Sequence, residues 1–85
     1  MAFVKIYTTP SCPYCVRAKM LLNNKGVSFE EVSMYDVSSE ERQQLVQKTN
    51  NYRTVPQIFI NDRFIGGYDQ LASLERQGEL DAMLA

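Results

Sequence analysis

Val4-Lys5-Ile6-Tyr7-Thr8 alternates apolar and polar positions and is rich in β-branched residues, the pattern of a strand. Pro10-Ser11 interrupts it. From about Pro13 to Lys25 the pattern becomes helical, with Ala18, Met20, Leu21 and Leu22 as apolar positions and Gly26 as a left-handed stop. Val27 to Met34, with Phe29 and Val32, reads as a second strand, although Glu30-Glu31 blurs its alternation. Ser38 followed by Glu41 three residues later predicts a capping box, opening a helix that runs to about Thr49. That helix has a thin apolar face, Leu45 and Val46, and Asn50-Asn51 can supply its left-handed stop. Val55-Pro56-Gln57-Ile58-Phe59-Ile60 reads as a buried strand that opens with proline, where a missing N–H is tolerated. Asn61-Asp62 is a hairpin turn signal, and Arg63-Phe64-Ile65 returns as a fourth strand. Gly66-Gly67 breaks that strand, Asp69 is placed to cap a helix over about Gln70–Gln77, and Gly78 ends it. Leu80, Met83 and Leu84 then predict one terminal helical turn.

The predicted order is β-α-β-α-β-β-α. Strands one and two, joined by a helical crossover, must run parallel, and the last two form an antiparallel hairpin. An α/β architecture follows: one small mixed sheet covered by helices. With 85 residues and no internal repeat or long linker, residues 1–85 are expected to form a single domain.

Composition narrows the function more than it defines it. The apolar fraction of 45% is that of a globular chain. A net charge of −1 leaves no basic stripe for nucleic acid and no polybasic anchor for membrane lipid. Met1 to Tyr7 lacks a charged segment followed by a long apolar run, so neither a secretory signal nor a membrane span is expected, and a cytoplasmic location is. In that compartment a permanent structural disulfide is disfavoured. Two cysteines and no histidine exclude a Cys–His nucleophile and a histidine-ligated metal, and two thiols make only half of a four-ligand zinc site.

The remaining chemistry lies in Cys12-Pro13-Tyr14-Cys15. Cys12 falls where strand one gives way to helix one, Pro13 takes the first helical position and Cys15 the third. As N-cap, the sulfur of Cys12 faces the unpaired amides of Tyr14 and Cys15 and the positive end of the helix dipole, both of which favour a negative sulfur. A stabilised thiolate gains more as a leaving group than as an attacking one, which suits turnover. Cys15 leans back toward the cap from one turn further on, is expected to be mostly buried, and can resolve a mixed disulfide held on Cys12. Inert buried thiols or half of a zinc or cluster site are the alternatives; the C-x-x-C spacing at a strand-to-helix junction favours redox chemistry.

Tyr7-Thr8-Thr9-Pro10-Ser11-Cys12-Pro13-Tyr14-Cys15 resembles a dithiol glutaredoxin of the thioredoxin superfamily. The resemblance continues through Thr54-Val55-Pro56-Gln57-Ile58-Phe59-Ile60 and Ile65-Gly66-Gly67-Tyr68-Asp69-Gln70-Leu71. It covers essentially the whole chain. It implies a thioredoxin-like fold with a four-stranded mixed sheet and helices on both faces, and a glutathione-dependent thiol–disulfide oxidoreductase. The implied substrates are protein disulfides and protein–glutathione mixed disulfides. Glutathione is then a co-substrate, with no tightly bound cofactor or metal, and the protein a monomer. The implied glutathione site is Tyr14, Thr54, Val55, Pro56, Gly67, Tyr68 and Asp69, with Arg53 and Gln43 toward the glycine carboxylate. Pro56 is expected to be cis, with the Val55 backbone exposed for strand-like pairing and Asp69 at the γ-glutamyl end. The charges agree with that allocation. Two carboxylates and an ammonium call for a cation or free amides at each carboxylate and an anion at the amine, roles open to Arg53, the Asp69 helix and Asp69 itself.

The chain departs from many relatives at three places. Thr8-Thr9-Pro10-Ser11 lacks a lysine shortly before the first cysteine, and Tyr68 replaces a further cysteine. The loop before Thr54 lacks the usual glycine, so Asn50 and Asn51 must meet any demand there for positive φ. Three other functions compete: electron transfer from a flavoprotein reductase, a dimeric iron–sulfur carrier using Cys12 and glutathione, and a binding module with idle thiols. Arg53-Thr54-Val55-Pro56 with Gly67-Tyr68-Asp69 argues against the first, Pro13 against the second, and the intact cysteine pair against the third.

Overall fold

The computed structural model describes residues 2–85; Met1 lies outside the described residues. The elements are β1 (Val4–Thr8), α1 (Pro13–Asn24), β2 (Glu30–Ser33), a 3-10 turn (Met34–Asp36), α2 (Ser39–Lys48), β3 (Gln57–Ile60), β4 (Arg63–Gly66), α3 (Tyr68–Arg76) and α4 (Leu80–Leu84). The four strands form one mixed sheet in the order β2-β1-β3-β4. β1 and β2 are parallel, whereas β3 lies antiparallel to both β1 and β4. Strand character explains the order. Every residue of β3 is buried, so it takes an inner position, while β2 with exposed Glu30-Glu31 and β4 with exposed Arg63 take the edges.

Alternation along the inner strands divides the core in two. Val4, Ile6, Ile58 and Ile60 face Ala18 and Leu22 of α1, Leu71 of α3 and Leu80 of α4. Tyr7 and Phe59 point the other way, onto Leu45 of α2, with Val32 and Phe64 at the margin. Helices therefore cover both faces of a thioredoxin-like sheet. No helix among the described residues is long and apolar enough to cross a membrane.

Several local expectations need correction. β2 begins at Glu30, not Val27, because the turn at Gly26 (φ 71°) commits the Val27 amide to Leu22 O at 3.2 Å. Val27 and Phe29 pack on the core from the connecting segment instead. Val46 is 46% exposed, leaving Leu45 as the buried contact of α2. β3 starts at Gln57, after the cis Val55–Pro56 bond. The predicted turns hold: Asn50, Asn51, Asn61 and Asp62 all adopt positive φ, between 51° and 66°.

The topology puts three chain segments at one end of the sheet. β1 ends there, so the loop after Thr8 delivers Cys12. β3, running antiparallel, begins there, and Tyr7 is paired with Gln57. β4 reverses once more and finishes there, with Ile58 opposite Gly66.

Candidate active site

Cys12 is the N-cap of α1, with extended backbone (φ −110°, ψ 107°), and Pro13 is the first helical residue. Of the two amides expected to face the sulfur, that of Cys15 donates to Cys12 Sγ at 3.2 Å. The Cys12 thiol itself donates to Val55 O at 3.6 Å, a bond that only the protonated form can make. Cys12 is partly exposed and Cys15 is 1% exposed; both are thiols. Burial pushes the Cys15 thiol up to about 11, assisted by its hydrogen bond with Cys12 and the charge there. The Thr9 amide and the Lys19 ammonium act in the opposite direction.

Beyond Val55 O lies an open cleft of about 370 Å³ lined by Tyr14, Tyr52, Thr54, Val55, Pro56, Gly67, Tyr68, Asp69 and Gln70. Tyr14 and Tyr68 flank it with ring centroids 6.3 Å apart. Seven of the residues singled out from the sequence are gathered here. Arg53 is exposed in the preceding loop and Gln43 is exposed on α2; neither lines the cleft.

Asp69 is not the N-cap of α3. Gly67 holds that position, and the Gly67 amide donates to Gln70 Oε1 at 2.8 Å. Asp69 falls in the first turn, exposed on the cleft, where a carboxylate complements the helix dipole and remains available to a ligand. Sequence reasoning missed Gln70 because Asp69 offered itself as the cap; a glutamine three residues after Gly67 was the signal that could have found it. Tyr52 had no such signal. Its ring packs edge-on against Phe64 at 5.2 Å, and its hydroxyl oxygen would stand 2.5 Å from a Cβ at Gly67. Glycine there is a matter of space: the backbone passes directly under the Tyr52 hydroxyl.

No group of three or more His, Cys, Asp or Glu among the described residues is arranged to hold a metal ion. The site offers instead a partly exposed sulfur at a helix cap, a second sulfur one turn behind it, and a cleft with one carboxylate and free backbone groups. With this fold, that arrangement defines a thiol–disulfide oxidoreductase of the thioredoxin-like class. The comparisons narrow the class. The chain belongs to the glutaredoxin family, whose model matches residues 4–65. It is 51% identical over 82 residues to the glutaredoxin of Pseudomonas aeruginosa, covering 96% of this chain and 95% of that one. It is 48% identical over 84 residues to glutaredoxin 3 of Escherichia coli K12, covering 99% of each. Among solved structures, the buckwheat glutaredoxin–glutathione complex superposes with a TM-score of 0.86 at 30% identity, covering 98% of this chain and 76% of that one. The solution structure of the Brucella melitensis glutaredoxin gives 0.81 at 44% identity, covering 99% and 89%.

Proposed function

We propose that the protein reduces protein disulfides and protein–glutathione mixed disulfides at the expense of glutathione, with Cys12 as nucleophile and Cys15 as resolving thiol. One observation carries the reading: Cys12 Sγ lies 3.6 Å from the carbonyl of Val55, which also lines the cleft that holds Asp69. A tripeptide bound there in extended form would bring its own sulfur to Cys12. The buckwheat relative was solved in complex with glutathione, which supports the same occupant here.

The chemistry follows from the two sulfurs. Ionised Cys12, held by the Cys15 amide, no longer donates to Val55 O, so that carbonyl becomes free to accept an N–H of the incoming peptide. Attack on a glutathionylated protein leaves glutathione disulfide-bonded to Cys12 and expels the protein thiolate. A second glutathione then releases Cys12, and only one thiol of the enzyme is used. Attack on a protein disulfide leaves the protein tethered to Cys12. Cys15 releases it by closing a Cys12–Cys15 disulfide, which two glutathione molecules later reopen. In the cleft, the Asp69 carboxylate receives the γ-glutamyl ammonium and the first-turn amides of α3 receive its carboxylate, while Arg53 and Gln43, outside the cleft lining, serve a glycine end that projects beyond it. The proposal places the protein as a monomer in a reducing compartment, the cytoplasm, where both cysteines are kept as thiols.

Cysteine variants test it. Cys12→Ser is expected to be inactive on every disulfide. Cys15→Ser should still remove glutathione from a glutathionylated protein while losing most reduction of protein disulfides. Equal losses in the two Cys15→Ser assays would refute the assignment.

A further inference from the structure

Lys19 has no part in the chemistry above, yet its ammonium is paired across to the sheet. It follows Cys15 by four residues on α1, so the two side chains are neighbours on one side of the helix, their Cβ atoms about 5–6 Å apart. Lys19 Nζ donates to Glu31 Oε2 of β2 at 2.9 Å, and Thr8 Oγ1 of β1 donates to the same oxygen at 2.8 Å. Thr8 is 3% exposed and is the last residue of β1, immediately before Thr9. Lys19, and after it Thr8, hold the Glu31 carboxyl below its usual range. The clamp therefore stays charged at neutral pH.

We infer that Lys19 is a positioning residue for the resolving step, paired with a Glu31 that Thr8 holds, so that its charge stays one helical turn from Cys15 when that sulfur must ionise. The inference rests on the reading of Cys15 as the resolving thiol. From α1, Cys15 is acted on by Cys12 and Lys19, and from the β1–α1 loop by the Thr9 amide; Glu31 of β2 stands behind Lys19. Asp69 of α3 belongs to the cleft and is not among the charges acting on this thiol. Before reaction, burial above all, then the hydrogen bond with Cys12 and any charge that Cys12 carries, keep Cys15 protonated. Once Cys12 is bonded to a substrate sulfur, both influences of Cys12 vanish; burial remains, and Thr9 and Lys19 oppose it. Cys15 then loses its proton to solvent and its sulfur attacks Cys12 Sγ. The Cys12–Cys15 bond forms, and the bond from Cys12 to the substrate sulfur breaks. The electron pair leaves with the substrate thiolate, which takes up a proton. The enzyme dithiol is oxidised by two electrons and the substrate disulfide is reduced. The two sulfurs thus act in sequence.

The test is a single-turnover reaction of the reduced protein with a symmetrical aromatic disulfide whose thiolate is coloured. The first release of colour reports attack by Cys12 and the second reports displacement by Cys15. One charge at this distance, partly in water, is worth about threefold in the ionised fraction of Cys15. A thiol that ionises less readily is also a better nucleophile once ionised. Lys19→Met should therefore leave the first phase unchanged and move the pH midpoint of the second upward by about half a pH unit. The second phase should run about twofold slower below the midpoint and slightly faster above it. Lys19→Arg should restore the wild-type profile. A uniform slowing at all pH values, an equal change in the first phase, or failure of the arginine variant would overturn the role of Lys19. An unchanged second phase in Lys19→Met would overturn it too. A wild-type trace with no second phase would instead overturn the assignment of Cys15 itself, so the two failures are distinguishable.

Discussion

Cys15 is withdrawn from water in the folded chain, and its resistance to ionisation up to about pH 11 is itself a contribution to stability. In the unfolded chain the thiol ionises near its ordinary value of 9.0. The folded state therefore holds the proton more tightly, and the contribution is complete below pH 9 and lost as pH rises to about 11. Relative to Cys15→Ala, the reduced wild-type protein should lose stability across that window, as measured by urea unfolding in the presence of a phosphine reductant. A flat difference between the two would mean that burial does not govern this thiol. Asp69 belongs to the same scale. Exposed in the first turn of α3, it is worth about 0.3–1 kcal/mol to the helix. A charge-assisted bond to the ammonium of glutathione is worth about 1.5 kcal/mol or more. Asp69→Ala should then raise the apparent KM for glutathione about tenfold, with only a small fall in Tm. A fall in Tm without a change in KM would make Asp69 a helix residue and nothing else.

At the scale of elements, the ends of helices were the most and the least legible features. Ser38 caps α2 as its sequence predicts, its hydroxyl accepting from the Glu41 amide at 3.1 Å. The other half of the capping box does not form. The Glu41 carboxylate accepts from the Tyr7 hydroxyl at 2.9 Å and lies 3.8 Å from Lys5 Nζ. A phenol buried under α2 needs an acceptor more than a solvent-exposed cap amide does, and nothing local in the sequence announces that demand. The expected consequence is unequal costs. Ser38→Ala should cost about 1 kcal/mol. Glu41→Ala leaves the Tyr7 hydroxyl without its partner and should cost about 1–3 kcal/mol. Chemical denaturation of the two variants checks the order, and equal costs would restore the capping box. The same lesson applies at α3, where Gln70 serves the amide of Gly67 and releases Asp69 to the cleft.

For the whole molecule, the five residues of α4 matter out of proportion to their length. Leu80 is 0% exposed and belongs to the same core cluster as Val4, Ile6, Leu22 and Leu71. Leu80→Ala should cost about 2–5 kcal/mol, a large share of the roughly 5–15 kcal/mol that holds a domain folded. Urea unfolding measures it, and a loss below about 1 kcal/mol would show that α4 is only an appended turn. The amino-acid sequence by itself determined the strands, helices and turns, because alternation, helical spacing, Gly26, Asn50-Asn51 and Asn61-Asp62 act within a few residues. It also determined where the two cysteines stand, at the head of α1, because an N-cap and the third helical position are local relations. Only the tertiary structure decided that β3 enters the sheet antiparallel beside β1, bringing Val55 to Cys12 across more than forty residues of chain and folding Gly67–Asp69 back beside Val55. Likewise it decided that Tyr52 and Gln70 shape the cleft, and that Glu31 and Thr8 hold Lys19. Those contacts depend on which faces of remote strands are buried together, and burial is a property of the packed chain, not of any stretch of it.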